Sequence, residues 1–300
     1  MFKKNIFFLV LILLSSITNL RSQNNYFLCA YMDGKAQDLR YCISIDGYHF
    51  SPVNNGKTIL KSTIGGKILR DPQILKDQKG VYHLIATNAW NSRDFAIWDS
   101  KDMINWENER LISISPKNAD KTWAPEAIYN EKDKNYLFYW TSSLGKDSTS
   151  WSIYYATTMD FKNFSEPSIL FKSDAIILDA NIVKCKNRYY MFYRYKKQIW
   201  RREADELTGN YINPLLILDA NVEGPYVYKV SDNKWNLVFD YYTRSGYYGM
   251  AESENLTDWK WLTSQIFPFN NEKVSFPVGV RHGSIIKISA KRYEKLNFNL

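Results

Sequence analysis

The stretch Asp102-Met-Ile-Asn-Trp106 recurs in altered form along the chain, and this repeat decides the fold. The other copies are Asp46-Gly-Tyr-His-Phe50, Asp160-Phe-Lys-Asn-Phe164, Asn255-Leu-Thr-Asp-Trp259 and a degenerate copy from Asp205 to Tyr211. Successive copies lie 56, 58, 45 and 50 residues apart. Each copy follows one strand-like stretch and precedes another, so the repeat predicts a turn between the two outer strands of a sheet.

A second repeat is offset from the first and consists of a polar residue followed by a short apolar run. Its copies are Asp71-Pro-Gln-Ile-Leu, Ala124-Pro-Glu-Ala-Ile, Asp179-Ala-Asn-Ile-Val, Glu223-Gly-Pro-Tyr-Val and His282-Gly-Ser-Ile-Ile. An aromatic strand follows four of these copies, at 81–87, 136–141, 189–194 and 235–241. Each unit therefore offers about four strands.

Together the repeats predict an all-β fold, a five-bladed β-propeller. The fifth unit lacks a second strand because the sequence stops, and the missing strands are at 26–32 and 39–45. We expect these N-terminal strands to pair with the C-terminal strand and close the propeller. An aromatic content of 16% suits pleated strands. A β-sandwich is the rival architecture, but five similar units fit it less well.

The first residues have the pattern of an export signal. Lys3 and Lys4 precede the apolar run 6–14, and small polar residues follow. We predict a signal peptide at 1–22, one propeller domain at 23–300, and an exported, periplasmic or secreted protein without a membrane span. The alternative is a buried N-terminal strand.

Charge argues against a nucleic-acid partner. The formal charge of +8 falls to +5 without Lys3, Lys4 and Arg21. The remaining basic residues are scattered and form no basic stripe. We expect a monomer with a carbohydrate substrate.

Cys29 and Cys42 are expected to lie opposite each other on the first hairpin, because both are equidistant from its loop. Either a disulfide or two packed thiols fits this position.

The second repeat also predicts the functional site. The first strand of each propeller blade lines the central axis, so residues at one register converge there. We place Asp71, Ala124, Asp179, Glu223 and His282 at that register. Crowded carboxyl groups in a partly desolvated pocket have divergent pKa values, as acid–base hydrolysis of glycosides requires. For any single residue, a turn cap is the alternative role.

The ordered motifs resemble glycoside hydrolase family 43 over nearly the whole chain after the signal. They are Arg70-Asp71-Pro72, Trp123-Ala124-Pro125-Glu126, Asp179-Ala180-Asn181, Glu223-Gly224-Pro225 and Arg281-His282-Gly283-Ser284. The resemblance implies a five-bladed propeller that hydrolyses arabinose-, xylose- or galactose-containing glycans with inversion. It also implies that Asp71 is the general base, Glu223 the general acid, and Asp179 the residue that positions the acid and tunes its pKa.

The remaining candidates are substrate-binding residues. Trp90, Trp123 and Arg244 are predicted to form a sugar-binding wall. Glu126 is predicted either to orient substrate hydroxyl groups or to be a buried structural carboxylate. His282 resembles a histidine that, in many relatives, faces the axis and approaches a calcium ion or its water shell. Ca²⁺ at the axis is therefore an open alternative to a core histidine, although no cofactor is required.

The favoured substrate is a terminal α-L-arabinofuranoside. β-Xylosidase and exo-β-1,3-galactosidase activities are the alternatives within the family. The invertase and levansucrase type is disfavoured, because no Asn-Asp-Pro precedes Arg70 and Glu223 precedes Gly rather than Cys. A non-catalytic carbohydrate-binding propeller would have near-identical polar sites in every blade, whereas the polar residues here differ from blade to blade.

Overall fold

Five four-stranded antiparallel sheets make up the fold seen in the computed structural model, which describes residues 25–145, 151–241, 246–264 and 273–298. The predicted signal peptide and Arg244 lie outside these residues. Blade one contains β4 (Arg70–Lys76), β5 (Tyr82–Thr87), β6 (Phe95–Ser100) and β7 (Glu107–Ile112). Blade two contains β8 (Ala119–Asn130), β9 (Asn135–Leu144), β10 (Trp151–Thr158) and β11 (Ser168–Lys172).

The other three blades have the same order of strands. Blade three contains β12 (Ile177–Cys185), β13 (Arg188–Tyr195), β14 (Gln198–Ala204) and β15 (Ile212–Leu218). Blade four contains β16 (Val222–Ser231), β17 (Lys234–Tyr241), β18 (Tyr248–Ser253) and β19 (Lys260–Trp261). Blade five contains β20 (Val280–Ile288), β1 (Tyr26–Asp33), β2 (Leu39–Ser44) and β3 (Ser51–Pro52), and a short 3₁₀ turn, Asn54–Gly56, follows it.

The first strands of the blades form a closed ring. Strands β4, β8, β12, β16 and β20 each contact the next, and β20 returns to β4. Strand β1 pairs antiparallel with β20, so both ends of the described chain share one blade. The predicted five-bladed propeller and its mode of closure are therefore confirmed. Closure of this kind gives β20 a paired neighbour within the ring and leaves only the outermost strand of each blade as a sheet edge.

The first repeat forms the turn between the two outer strands, as predicted. In blade one, Asp102 Oδ1 accepts hydrogen bonds from the amides of Ile104 (3.0 Å) and Asn105 (2.8 Å), while Ser100 Oγ accepts one from Met103 (2.9 Å). The same pattern recurs in three further blades, at Ser44 and Asp46, Thr158 and Asp160, and Ser253 and Asn255. Short polar side chains are selected here because they satisfy turn amides that no strand pairs.

Many aromatic side chains pack between neighbouring blades. Five apolar clusters are present among the described residues, and each one joins two neighbouring blades. The aromatic residue that ends the turn repeat packs into them: Trp106 into the cluster between blades five and one, and Phe164 into the cluster between blades one and two. Aromatic side chains bury 150–250 Å² each, roughly, which makes them effective fillers between flat sheets.

The sequence predicted the position of the cysteine pair but not a helix near the C-terminus. Cys29 lies directly opposite Cys42, as predicted, and both are buried free thiols. Helix α1 (Ala290–Phe298) was not expected. It covers the seam between blades five and one: Leu296 is buried there, and Arg292 donates to the carbonyl of Asp102 at 2.9 Å. Burial of one leucine side chain contributes about 2 kcal/mol.

Candidate active site

A cavity of about 510 Å³ opens where the first strands of the blades converge. Its lining residues are Met32, Arg70, Asp71, Trp90, Trp123, Leu178, Asp179, Arg194, Glu223, Arg281 and His282. Six of the residues predicted for the site are among them: Asp71, Trp90, Trp123, Asp179, Glu223 and His282. The structure thus brings together side chains that are more than 200 residues apart in sequence, as Asp71 and His282 are.

A β-bulge in every first strand positions these side chains. The residue that begins each bulge, or forms it alone, has a left-handed φ: Asp71 (51°), Ala124 (48°), Asp179 (56°), Gly224 (59°) and His282 (24°). Proline follows three of them, which is tolerated because a bulge frees its amide from the ladder. The Asp-Pro and Ala-Pro motifs are therefore bulge motifs.

The bulges correct the predicted register in blade four. Gly224, not Glu223, occupies the position equivalent to Asp71 and Asp179. Glu223 lies one residue earlier, in register with Arg70, Trp123, Leu178 and Arg281. All five of these residues line the cavity, so Glu223 still belongs to the site.

Asp71 forms an ion pair with His282. The distance between His282 Nδ1 and Asp71 Oδ1 is 3.1 Å, and Thr87 Oγ1 donates to Asp71 Oδ2 at 2.7 Å. Burial raises the pKa of Asp71, but the histidine charge and these hydrogen bonds outweigh it and hold the pKa well below its ordinary value. Burial lowers the pKa of His282, but the charges of Asp71 and Asp179 raise it to about 10. Asp71 is therefore an anion and His282 a cation at neutral pH.

Glu223 is in the opposite electrostatic situation. Burial, followed by the charges of Asp179 and Asp240, raises the pKa of Glu223 to about 7, although Arg281 and Arg194 lower it. Asp179 is buried and accepts a hydrogen bond from the amide of Gly224 at 3.1 Å, which fixes its carboxylate beside the acid. The cavity thus holds one carboxylate that stays ionised and one carboxyl group that keeps its proton near neutrality.

Sequence reasoning missed Asp240 and the arginines of the site. Asp240 is 1% exposed and lies opposite Glu223 on β17. Arg281 was noted only as part of a motif, and Arg194 was not noted. The available signal was a single acid in the otherwise apolar run Leu237-Val-Phe-Asp-Tyr241. Such a buried charge needs a partner, but the sequence does not say which one.

One wall of the cavity is aromatic. Trp90 is 52% exposed, and its ring stacks edge-on against Trp123 with centroids 5.5 Å apart. The Trp123 indole donates to the carbonyl of Trp90 at 3.0 Å, and the Arg70 guanidinium lies 4.1 Å from the Trp90 ring centroid. An exposed, braced aromatic face of this kind is suited to contact a sugar ring.

Glu126 is placed in the core and does not line the cavity. Its Oε2 accepts hydrogen bonds from Tyr139 (2.7 Å), Asn181 (2.9 Å) and Gln73 (3.2 Å). Gln73 and Asn181 in turn accept from amides of the next blade, Ala127 at 2.7 Å and Val227 at 2.9 Å. Of the two roles predicted for Glu126, these contacts are those of a structural carboxylate that ties blades together. Its pKa rises to about 7 because of burial.

The described residues do not fit a calcium site held by side chains. Within 25–145, 151–241, 246–264 and 273–298, no three His, Cys, Asp or Glu side chains are grouped so as to hold a metal ion. The Nδ1 atom of His282 is paired with Asp71. We therefore assign no chemical step to a metal.

Comparison with known proteins agrees with this fold and site. Residues 23–294 match the family model described as a probable glycosyl hydrolase domain, a relative of glycoside hydrolase family 43. An α-L-arabinofuranosidase of Bifidobacterium longum subsp. longum is 26% identical over an alignment of 199 residues, which covers 56% of this chain and 18% of that protein. The chain thus spans less than a fifth of the length of this curated relative.

Solved structures share the fold. A thermostable family-43 glycoside hydrolase superposes with a TM-score of 0.59 at 21% identity, covering 74% of this chain and 80% of the other. An α-L-arabinanase of Cellvibrio cellulosa complexed with arabinohexaose gives 0.58 at 13% identity, with 80% and 92% covered. An α-L-arabinofuranosidase of Lactobacillus brevis gives 0.54 at 16% identity, with 74% and 90% covered.

The fold and the site together define a five-bladed propeller with carboxyl groups at its axis, an arrangement suited to the hydrolysis of glycosides. The chain belongs to the family of probable glycosyl hydrolase domains related to glycoside hydrolase family 43. No helix in the described ranges is both long and apolar enough to cross a membrane.

Proposed function

We propose that the protein is an exported, monomeric glycosidase that removes a terminal α-L-arabinofuranosyl group with inversion of configuration. The observation that carries the reaction is the pairing, in one cavity, of an anionic Asp71 with a Glu223 whose pKa is about 7. The arabinofuranosidase relatives support the choice of sugar. The basic, apolar and small-residue pattern of residues 1–22 supports export to the periplasm or the medium.

In the proposed reaction, water attacks the anomeric carbon of the bound sugar from the side of Asp71. The bond between that carbon and the glycosidic oxygen breaks as the new bond forms. Glu223 gives its proton to the departing oxygen, and Asp71 takes a proton from the water. Exchange of protons with solvent then restores both groups.

The contacts of Asp71 suit it to act as a general base, because they orient its carboxylate and keep it ionised. Thr87 and His282 each hold one carboxylate oxygen, so the group has one orientation in the cavity. Because it stays ionised well below neutral pH, it does not have to lose a proton before it receives one. The positive charge of His282 also balances the anion while the sugar gains positive character.

Asp179 supports the acid. Its charge is the largest contribution after burial that keeps the proton on Glu223, and the amide of Gly224 fixes its position. The aromatic wall supplies a surface for the sugar or for the group that leaves. A cavity of about 510 Å³ is suited to a terminal sugar and its neighbour.

The test uses p-nitrophenyl α-L-arabinofuranoside, β-D-xyloside and β-D-galactoside with the wild-type protein and Asp71→Asn. We expect the arabinofuranoside to be hydrolysed, and the substitution to lower kcat by about 10²–10⁴-fold because the base is lost. Asp99→Asn is the control, since Asp99 is a half-buried carboxylate of blade one outside the cavity.

Proton NMR of the first product formed identifies the stereochemistry. The β anomer of arabinofuranose is expected before mutarotation. Release of the α anomer would contradict inversion, and full activity of Asp71→Asn would contradict the assignment of the base. Hydrolysis of the xyloside alone would show that the released sugar is xylose rather than arabinofuranose, but it would not contradict the proposed mechanism.

A further inference from the structure

A buried carboxylate beside the acid has no part in the reaction described above. Asp240 accepts a hydrogen bond from Arg281 Nε at 3.1 Å and is approached by the amide of His282, at 3.1 Å from one oxygen and 3.2 Å from the other. Arg281 Nη2 reaches past it to donate to Glu223 Oε1 at 2.6 Å. One arginine therefore joins the two carboxyl groups, which lie opposite each other on β16 and β17.

We infer that Asp240, acting through Arg281, is a positioning residue that keeps Glu223 in the form of a proton donor. The inference rests on the proposed role of Glu223 as the general acid. Asp240 itself is buried, does not line the cavity and is not expected to touch the substrate.

The geometry shows why two partners are needed. A guanidinium fork against a single carboxylate would draw that carboxylate into a stable ion pair and remove its proton. Here the Nε side of the fork is held by Asp240, which the backbone of blade five fixes in place. Arg281 can thus hold the Glu223 carboxyl by one hydrogen bond while its charge is balanced elsewhere.

The charges around Glu223 agree with this balance. The groups that act on it are Asp179 from β12, Asp240 from β17, Arg194 from β13 and Arg281 from β20. The two aspartates raise the pKa of Glu223, and the two arginines lower it. Removing Asp240 leaves Asp179 facing two arginines, so the proton should be released at lower pH.

The pH dependence of kcat/KM tests the direction of each effect. Asp240→Asn should move the basic limb about one unit to lower pH, which lowers kcat/KM about tenfold above that limb. Arg281→Gln should move the basic limb to higher pH. The double variant should have a limb close to that of Arg281→Gln alone, because Asp240 acts through Arg281 and its removal has little further effect once that arginine is absent.

The leaving group separates a proton-donor defect from a structural one. With methyl α-L-arabinofuranoside, which needs protonation, Asp240→Asn should lose about tenfold more activity above the limb than with the p-nitrophenyl substrate. Asp99→Asn is the matched control, because its carboxylate is also held by an arginine, Arg110 Nη1, at 2.9 Å, and neither residue lines the cavity. It should leave both the limb and the leaving-group dependence unchanged.

Three results would overturn the inference: an unmoved limb in folded Asp240→Asn, a limb moved to lower pH in Arg281→Gln, or additive shifts in the double variant. If Asp240→Asn does not fold, the Arg281→Gln limb decides alone, and an unmoved limb there counts against the inference. Glu223→Gln is measured in parallel. If it hydrolyses the methyl glycoside normally, the proposed acid itself is wrong, and that failure is distinct from the other three.

Discussion

Glu223 should reduce the stability of the folded protein at the pH at which it is useful. Its pKa rises from 4.5 to about 7 on folding, mainly because it is buried and then because Asp179 and Asp240 are negative. Below about pH 4 it is protonated in both states and has no effect. Between those pKa values the folded state holds a proton that the unfolded state has released, so the free energy of unfolding falls as pH rises. Above pH 7, roughly, the full penalty applies.

The size of this penalty follows from the shift. A change from 4.5 to about 7 corresponds to about 3 kcal/mol at 1.36 kcal/mol per unit. Glu223→Gln removes the ionisation and keeps the shape, so it should stabilise the protein by about this amount at about pH 8 and by little at about pH 4. For a chain of 300 residues this is about 5 °C in Tm. The substitution Glu223→Gln would then both inactivate the enzyme and stabilise its fold.

Differential scanning calorimetry at both pH values measures the difference in Tm between Glu223→Gln and the wild type. Glu254→Gln is the control, because Glu254 is a solvent-exposed glutamate of blade four and its substitution should not change Tm differently at the two pH values. An equal gain for Glu223→Gln at both pH values would refute the reasoning, since it would come from packing rather than from ionisation. A gain confined to the lower pH would refute its sign.

Two further predictions concern blade five. His282→Gln removes the cation that keeps Asp71 ionised, so the acidic limb of kcat/KM should rise until about half the activity is lost near pH 4. An unchanged limb would show that Arg70 and Thr87, rather than His282, lower this pKa. Gly283→Ala places a methyl group 2.1 Å from the carbonyl oxygen of Ala30, inside the strand pair that closes the propeller. It should lower the free energy of unfolding by about 3 kcal/mol, and chemical denaturation giving an unchanged midpoint would contradict the close approach.

Most of the fold could be predicted because its elements repeat. The turn between outer strands recurs with the same hydroxyl and carboxylate or amide, since the same amides must be satisfied in each blade. Helix α1 occurs once, is nine residues long, and is stabilised by its contacts with Tyr26 and blade one rather than by its own sequence. Nothing in a repeat could indicate it.

The residues of the candidate site also fall into two groups: those at a position that repeats in the blades, and those outside any repeat. Asp71, Asp179 and His282 lie at one repeated position, and the sequence aligns them. Asp240 and Arg194 lie on second strands, where the repeat is only aromatic and apolar and gives polar positions no common register. Their importance comes from Arg281 and Glu223 across blade boundaries, which is a property of the assembled ring.

The displaced position of Glu223 follows from the chemistry of the bulge. A left-handed φ is costly for most residues, and Gly224 accepts it without strain. In blade four the glycine takes the bulge position, and the carboxylate moves one residue earlier, into register with Arg281. Asp71, at the bulge itself, is instead bound by the histidine at the bulge of blade five. The single step in register therefore gives the two carboxyl groups different cationic partners, and the difference in their pKa values follows from that step together with the carboxylates that surround Glu223.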